Sequence, residues 1–223
     1  MKQLLRGISR TAPLPLTALA APAAAFFLSA AALGGQFSPW ALAAVAVSGT
    51  GWSGLASVAC ALLGALAFLD FQPGLRLGAA ALLIFCANTS FCTTRLYRCD
   101  WFRPLAAVLA SSLVQTANLW QRGGRQWALW CASLALLYGC VRLWPQRLGG
   151  PAEDSRNGRF LLLLGVCAAL SRLSLYGFSP AMLAAAVLLL ALSRSVRPAD
   201  LICAGALAGL TLDLCAVDTF YAS

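Results

Sequence analysis

The stretch Tyr176-Gly-Phe-Ser-Pro180 opens the part of the sequence that decides the fold. An apolar run follows it, then a basic break, and then a second apolar run that closes on Leu212-Asp213. Much earlier, Gly35-Gln-Phe-Ser-Pro39 opens the same series of features with a glycine-rich break, and this series closes on Leu69-Asp70. Self-similarity between two parts of a chain indicates repeated architecture, so we predict an internal repeat.

The two copies of this repeat span residues 35–70 and 177–213. Helices rich in alanine and leucine resemble one another by composition alone, which is the alternative explanation. Phe-Ser-Pro and the closing Leu-Asp are not typical of such helices, and they favour a true duplication.

Composition predicts a membrane protein. The chain has 223 residues, of which 61% are hydrophobic and 10% are charged, and its mean hydropathy is +0.79. Soluble domains carry about 25% charged residues. A soluble fold of this length cannot bury so much apolar surface. The apolar runs have helical lengths and lack the alternation of barrel strands, so we predict one membrane domain over 1–223, an all-α transmembrane bundle.

Residue types that most enzymes need are scarce. Histidine is absent, which removes the usual general base and the commonest metal ligand. None of the nine cysteines belongs to a Cys-x-x-Cys pair, and most lie inside apolar runs, where free cysteine behaves as a small hydrophobic residue. The seven acidic residues are not clustered as a two-metal centre requires. We therefore predict no catalytic, cofactor-binding or metal-binding residues, and no enzyme activity for this chain.

Nine apolar runs follow one another, and we expect about nine spans from them. The first, 14–33, follows a basic N-terminus, and a cleaved signal peptide is the alternative to a first span. Runs 37–48 and 55–69 rise roughly 18 and 22 Å, less than the roughly 30 Å hydrocarbon core. These two are therefore half-helices, re-entrant helices, or spans lengthened through the glycine-rich break at residues 49–54. The other runs are 77–91, 104–119, 127–143 and 160–176, with two more in the second repeat copy.

Basic residues orient the chain, because they concentrate on the cytoplasmic side of membrane proteins. With nine alternating spans and a cytoplasmic N-terminus, twelve Lys and Arg residues are cytoplasmic and three, Arg76, Arg122 and Arg125, are external. We therefore predict a multi-pass protein of the bacterial cell membrane with a cytoplasmic N-terminus. The excess of basic residues is then explained by the orientation of the chain in the membrane, so we expect no nucleic-acid partner. Both repeat copies run in the same sense, as a parallel repeat.

One charged residue, Arg172, interrupts the seventh run. A charge inside a span costs about 2.5–3.5 kcal/mol on insertion scales, so it usually faces the bundle and pairs. Alternating spans put Arg172, Asp213 and Asp70 at similar depths, with both aspartates at helix C-termini, where the helix dipole disfavours a carboxylate. We predict an intramembrane ion pair between Arg172 and Asp213, with Asp70 as the second candidate. The alternative is that Arg172 extends alone to the lipid headgroups.

The run Gly205-Ala-Leu-Ala-Gly-Leu-Thr-Leu-Asp-Leu214, followed by Asp218-Thr-Phe-Tyr-Ala222, resembles the membrane region of stage II sporulation protein E, as does the paired Phe-Ser-Pro at Phe37 and Phe178. The resemblance covers nearly the whole chain. It implies a region of about ten spans that precedes a cytoplasmic, metal-dependent serine/threonine phosphatase. Because the chain stops on a polar end after Asp213, we expect it to be the front part of such a longer protein.

The resemblance also implies a role. The family's phosphatase acts on a phosphorylated anti-anti-sigma factor, and its membrane region localises the protein to the polar division septum together with the tubulin-like division protein. This chain would then be an anchor and localiser whose partners are the lipid bilayer, division-machinery proteins and further copies of itself. Two alternatives remain from other classes: a rod-shape-determining membrane scaffold, and the substrate-binding subunit of an energy-coupling-factor vitamin transporter. A transporter requires a polar site in mid-membrane or broken helices.

Overall fold

The computed structural model describes residues 16–116, 124–144, 152–171, 180–193 and 198–216. This part of the chain forms nine α-helices and one short 3-10 helix. Its β-structure is limited to an isolated bridge between Leu33 and Phe37. The predicted all-α fold is confirmed.

Each of the nine predicted apolar runs overlaps one helix, in the predicted order. The helices are α1 (Leu16–Leu28), α2 (Pro39–Ser48), α3 (Trp52–Phe68), α4 (Phe71–Phe91), α5 (Phe102–Gln115), α6 (Gly124–Arg142), α7 (Ala152–Leu170), α8 (Pro180–Ser193) and α9 (Pro198–Ala216). The 3-10 helix, Arg95–Arg98, lies between α4 and α5.

Three helix boundaries differ from the sequence prediction. The first helix ends at Leu28 and not at Leu33. The fourth begins at Phe71, six residues early, because Pro73 falls in its first turn, where a missing N–H group is tolerated. The seventh begins at Ala152, inside the predicted polar loop.

Both repeat copies start a helix at the proline of Phe-Ser-Pro. α2 begins at Pro39 and α8 begins at Pro180. Proline is favoured at the first helical position because its fixed φ suits the helix and its N–H would be unpaired there. The repeated motif therefore works as a helix start in both places.

The interior of the bundle is made of small residues. Among the 35 buried apolar side chains that the structure describes, 18 are alanine. Eight polar side chains are also buried: Ser29, Ser38, Ser57, Asn88, Ser111, Gln115, Ser133 and Thr211. Many large apolar side chains lie on the outside, for example Leu113 at 72% exposure and Leu63 at 60%.

Length and composition identify one bilayer-crossing candidate among the described helices. This is α4, with 21 residues. Six further apolar segments are shorter, at 10–17 residues, and they lie in α2, α3, α5, α7, α8 and α9.

Helices α3 and α4 form an antiparallel hairpin whose connection is only Leu69 and Asp70. A side chain at Gly74 of α4 would meet Ala65 of α3, and one at Gly78 would meet Leu62. Residue numbers rise on α4 as they fall on α3, so the two helices run in opposite directions. The glycines bring the helix axes close together.

Helix α1 packs against α3, also antiparallel. Its Phe26 lies against Gly64, where an added Cβ would be 2.5 Å from the Phe26 carbonyl oxygen. Ser29, just after α1, donates a hydrogen bond to the Ala61 carbonyl at 3.2 Å. The Phe26 and Phe68 rings also meet edge to face, with centroids 5.6 Å apart. The chain therefore leaves α1 beside the middle of α3.

Candidate functional site

Helix α2 runs in the same direction as α1. It begins beside the last residue of α1, since the Ser38 hydroxyl donates to the Leu28 carbonyl at 2.8 Å. It ends beside the first turn of α3, since the Ser53 hydroxyl donates to the Ser48 carbonyl at 3.1 Å. Ala61, which marks the end of α1, lies roughly 12 Å further along α3 than Ser53. From the end of α1, α2 therefore continues away from the α3–α4 connection.

Helices α1 and α2 are thus two halves of one interrupted helix. Their 13 and 10 residues rise roughly 20 and 15 Å. The predicted alternation of direction between the first two apolar runs is wrong, because the segment between them returns the chain to the end of α1. The prediction that both repeat copies run in the same direction was based on that alternation, so it loses this support.

The segment 29–38 between the two halves, which we call the break, satisfies its own backbone. The Leu33 and Phe37 backbones exchange hydrogen bonds of 2.8 and 3.2 Å, and this bridge reverses the chain. The N–H groups of Ser29 and Ala30 donate to the last-turn carbonyls of Phe26 and Phe27. A buried helix end without such partners would be costly, so these bonds make a buried interruption tolerable.

Gly34 occupies the tightest point of the break. Its φ of +55° lies in the left-handed region, which L-residues with a Cβ adopt at a cost of roughly 1–2 kcal/mol. An added Cβ would also lie 2.8 Å from the Leu129 side chain of α6. Its N–H donates to the Leu214 carbonyl at the end of α9, at 3.0 Å. The break therefore joins the first and last described helices.

Helix α2 is enclosed by its neighbours. Its first eight residues, 39–46, are all buried. The Trp40 indole N–H donates to the Leu161 carbonyl of α7 at 3.1 Å, and the indole leaves no room for a side chain at Gly165. At the other end of α2, the Asn88 amide of α4 donates to the Ala46 carbonyl at 3.1 Å. Polar contacts thus fix both ends of α2.

The chemistry available at the break is limited. Residues 16–69 contain no acidic, basic or histidine side chain. The Ser29 hydroxyl bonds the Ala25 and Ala61 carbonyls, and the Ser38 hydroxyl bonds the Leu28 carbonyl. Ala30, Ala31 and Ala32, also in the break, are buried. The arrangement can hold helices together, but it offers neither acid–base groups nor charged ligands.

Two buried polar atoms have no hydrogen-bond partner within the part of the chain that the structure describes. They are Oε1 of Gln115 at the end of α5 and Nε1 of Trp130 on α6. One is an acceptor and the other a donor. They are the polar groups most open to a small polar guest.

The structure describes two of the three residues considered for the predicted ion pair. Arg172 lies outside the described residues. Asp70 is exposed and precedes the first residue of α4 as its N-cap, where the helix dipole favours a carboxylate. Asp70 also directly follows Leu69, the C-cap of α3, so the two helix dipoles act on its carboxylate in opposite senses. Its pairing with Arg172 stays a prediction. Asp213 is exposed in the last turn of α9, and its pairing with Arg172 stays a prediction.

Sequence reasoning allowed run 37–48 to be a half-helix but did not place the break at 29–38 or join it to the first run. The signals were present in the short run 37–48 and in the adjacent Gly34 and Gly35, both of which have positive φ. Among the described residues, no group of three or more histidine, cysteine or acidic side chains is close enough to hold a metal ion.

Comparisons with known proteins identify no family for this chain. The chain matches no protein-family model, no curated protein and no solved structure.

Proposed function

We propose that the chain is a multi-pass membrane protein of the bacterial cell membrane. The supporting observation is the number of large apolar side chains on the outside of the bundle, such as Leu113 and Leu63, together with the polar side chains Ser29, Asn88 and Gln115 inside it. In water the exposed apolar surface would be unfavourable. In a bilayer this arrangement is favourable, because small residues and polar side chains mediate helix packing.

In this proposal the nine helices make fewer than nine crossings, because α1 and α2 share one. The charge count then changes. Up to residue 159, this topology puts six basic residues on the N-terminal side of the bilayer and seven on the other side. The six are Lys2, Arg6, Arg10, Arg76, Arg122 and Arg125. The seven are Arg95, Arg98, Arg103, Arg142, Arg147, Arg156 and Arg159. A difference of one does not orient a protein. The cytoplasmic N-terminus therefore needs a direct measurement.

We further propose that the domain acts as an anchor and localiser, as its resemblance to the membrane region of stage II sporulation protein E implies. The centre of the bundle supports a structural role, because the break and α2 carry no ionisable groups of the acid–base type. Their hydroxyl groups are committed to backbone carbonyls. Partners at the division septum and a phosphatase domain beyond Ser223 belong to the same proposal.

A small-solute transporter subunit is the second candidate function. Interrupted helices at the bilayer midplane form the substrate sites of many transporters, and the break is such an interruption. The unpartnered Gln115 and Trp130 atoms could contact a polar guest. This candidate is weaker, because the break is filled by alanine side chains and bonded to itself.

Two experiments test the proposal in sequence. Alkaline carbonate extraction should leave the protein in the membrane pellet, and release into the supernatant would refute membrane integration. A fluorescent fusion in a sporulating, endospore-forming host should then collect at the polar septum. Patches along the lateral wall during growth would favour the rod-shape scaffold, and uniform membrane fluorescence through division would favour the transporter.

A further inference from the structure

An apolar groove runs between α4 and α5 on the outer surface of the bundle. Its volume is about 380 Å³, within the roughly 300–1,000 Å³ of small-molecule sites. The α4–α5 groove, as we call it, is lined chiefly by Leu83, Ala87, Phe91, Leu105, Leu109 and Leu113. Several of these side chains are well exposed, including Leu109 at 53% and Leu113 at 72%.

The length of the groove matches one leaflet of a bilayer. Its lining extends along α5 from Trp101 to Leu113, which is roughly 18 Å at 1.5 Å per residue. One leaflet contributes about half of the roughly 30 Å hydrocarbon core. A single lipid chain can therefore lie along the whole groove.

One end of the groove is basic and aromatic. The loop between α4 and α5 contains Arg95 and Arg98, and Arg103 lies in the first turn of α5. The single acid in this segment is Asp100. Arg95 is exposed, and the Arg103 guanidinium lies 4.2 Å from the centre of the Tyr97 ring. Trp101, which lines the groove, is half exposed. Tryptophan and tyrosine are typical of the membrane interface, and guanidinium groups bind phosphate oxygens well.

We propose that the α4–α5 groove binds one acyl chain of an anionic glycerophospholipid, whose phosphate headgroup is held by Arg95 and Arg103. The acyl chain of the lipid lies along the apolar lining from Phe91 to Leu113, and its headgroup lies at the basic loop. Charge complementarity selects the lipid class, because the apolar lining alone does not distinguish anionic from zwitterionic lipids. The inference rests on the proposed membrane location.

Native mass spectrometry of the full chain, purified in detergent, tests the proposal. The delipidated protein is titrated with phosphatidylglycerol and, separately, with phosphatidylcholine of the same acyl chains. Two arginines near an anionic group together contribute about 30-fold in affinity. The wild type should therefore prefer phosphatidylglycerol, and Arg95→Gln with Arg103→Gln should reduce that preference by about 30-fold. Arg142→Gln, at an exposed arginine on α6, is the matched control and should keep it.

A second pair of variants tests the groove without changing charge. Leu109→Trp should fill the groove and abolish retention of both lipids, whereas Leu63→Trp, at a comparably exposed position on α3, should not. Equal retention of the two lipids by the wild type would overturn the proposal, as would unchanged binding in Leu109→Trp. A dimer that Leu109→Trp dissociates would show that a second copy occupies the groove and would also overturn it. Carbonate extraction tests membrane integration independently of lipid binding. A failure of the lipid proposal can therefore be distinguished from a failure of the proposed membrane location.

Discussion

Gly64 is the point where α1 and α3 touch through their backbones, and Gly64→Ala should destabilise the bundle. The added methyl group would meet three atoms of Phe26: the carbonyl oxygen at 2.5 Å, and the carbonyl carbon and Cα at 3.1 Å each. All three belong to the backbone, so no side chain can rotate away. We therefore take the upper end of the overpacking cost, about 3 kcal/mol.

The net effect is smaller, because alanine is the better helix former. Replacing glycine by alanine inside a helix stabilises it by about 1 kcal/mol. The expected net loss for Gly64→Ala is therefore about 2 kcal/mol, which lowers Tm by about 4–8 °C in a chain of this length. Gly209→Ala is the matched control, since nothing lies within 4 Å of its added Cβ. It should gain about 1 kcal/mol and raise Tm by about 2–4 °C.

The assay is a thermal melt in detergent, monitored by circular dichroism at wavelengths that report helix content. The two variants make the same chemical change and should shift the midpoint in opposite directions. If Gly64→Ala melts at or above the wild type, α1 and α3 are not in backbone contact, and the direction assigned to α1 loses its main support.

Three further predictions concern direction, packing and charge. In a cysteine-free background, an impermeant maleimide should label Thr50→Cys from the side of the membrane opposite the N-terminus. It should label Gln72→Cys from the side of the N-terminus. The reverse pattern would support nine alternating spans. Asn88→Leu should lower Tm by about 2–4 °C, because its hydrogen bond to α2 is lost, and an unchanged melt would count against that bond. Arg172→Asp and Asp213→Arg should each reduce the yield of folded protein, and the double swap should recover much of it. A double variant as poor as the two single losses combined would exclude the pair.

The number and order of the helices could be predicted because glycine and proline punctuate the apolar runs. The direction of α2 could not be predicted. Its ten residues, 39–48, are apolar on all sides, and a helix surrounded by protein and a helix surrounded by lipid share that pattern. The hydrogen bonds at its two ends, to Leu28 at the start and from Ser53 at the end, decide which way it runs.

The role of Asp70 was misjudged for a related reason. The sequence shows an apolar run before it and a proline after it, which suggests the end of a helix followed by a loop. The structure starts α4 at the next residue, so only Leu69 and Asp70 separate the two helices. Asp70 then lies at the C-terminal end of one helix dipole and at the N-terminal end of the next, and these act on the carboxylate in opposite senses. Sequence patterns locate such junctions to within a few residues, which is too coarse to assign the sign of a dipole.

The enclosure of α2 has a consequence for how the protein is made. The carbonyl that receives the Trp40 indole belongs to Leu161, 121 residues later in the chain. At 5–20 residues per second, a ribosome takes roughly 6–24 s to reach it. Until Leu161 has been added, α2 cannot make this contact with α7. Its apolar surface must meanwhile rest against lipid or the insertion machinery, and it reaches its buried place only after α7 has been synthesised.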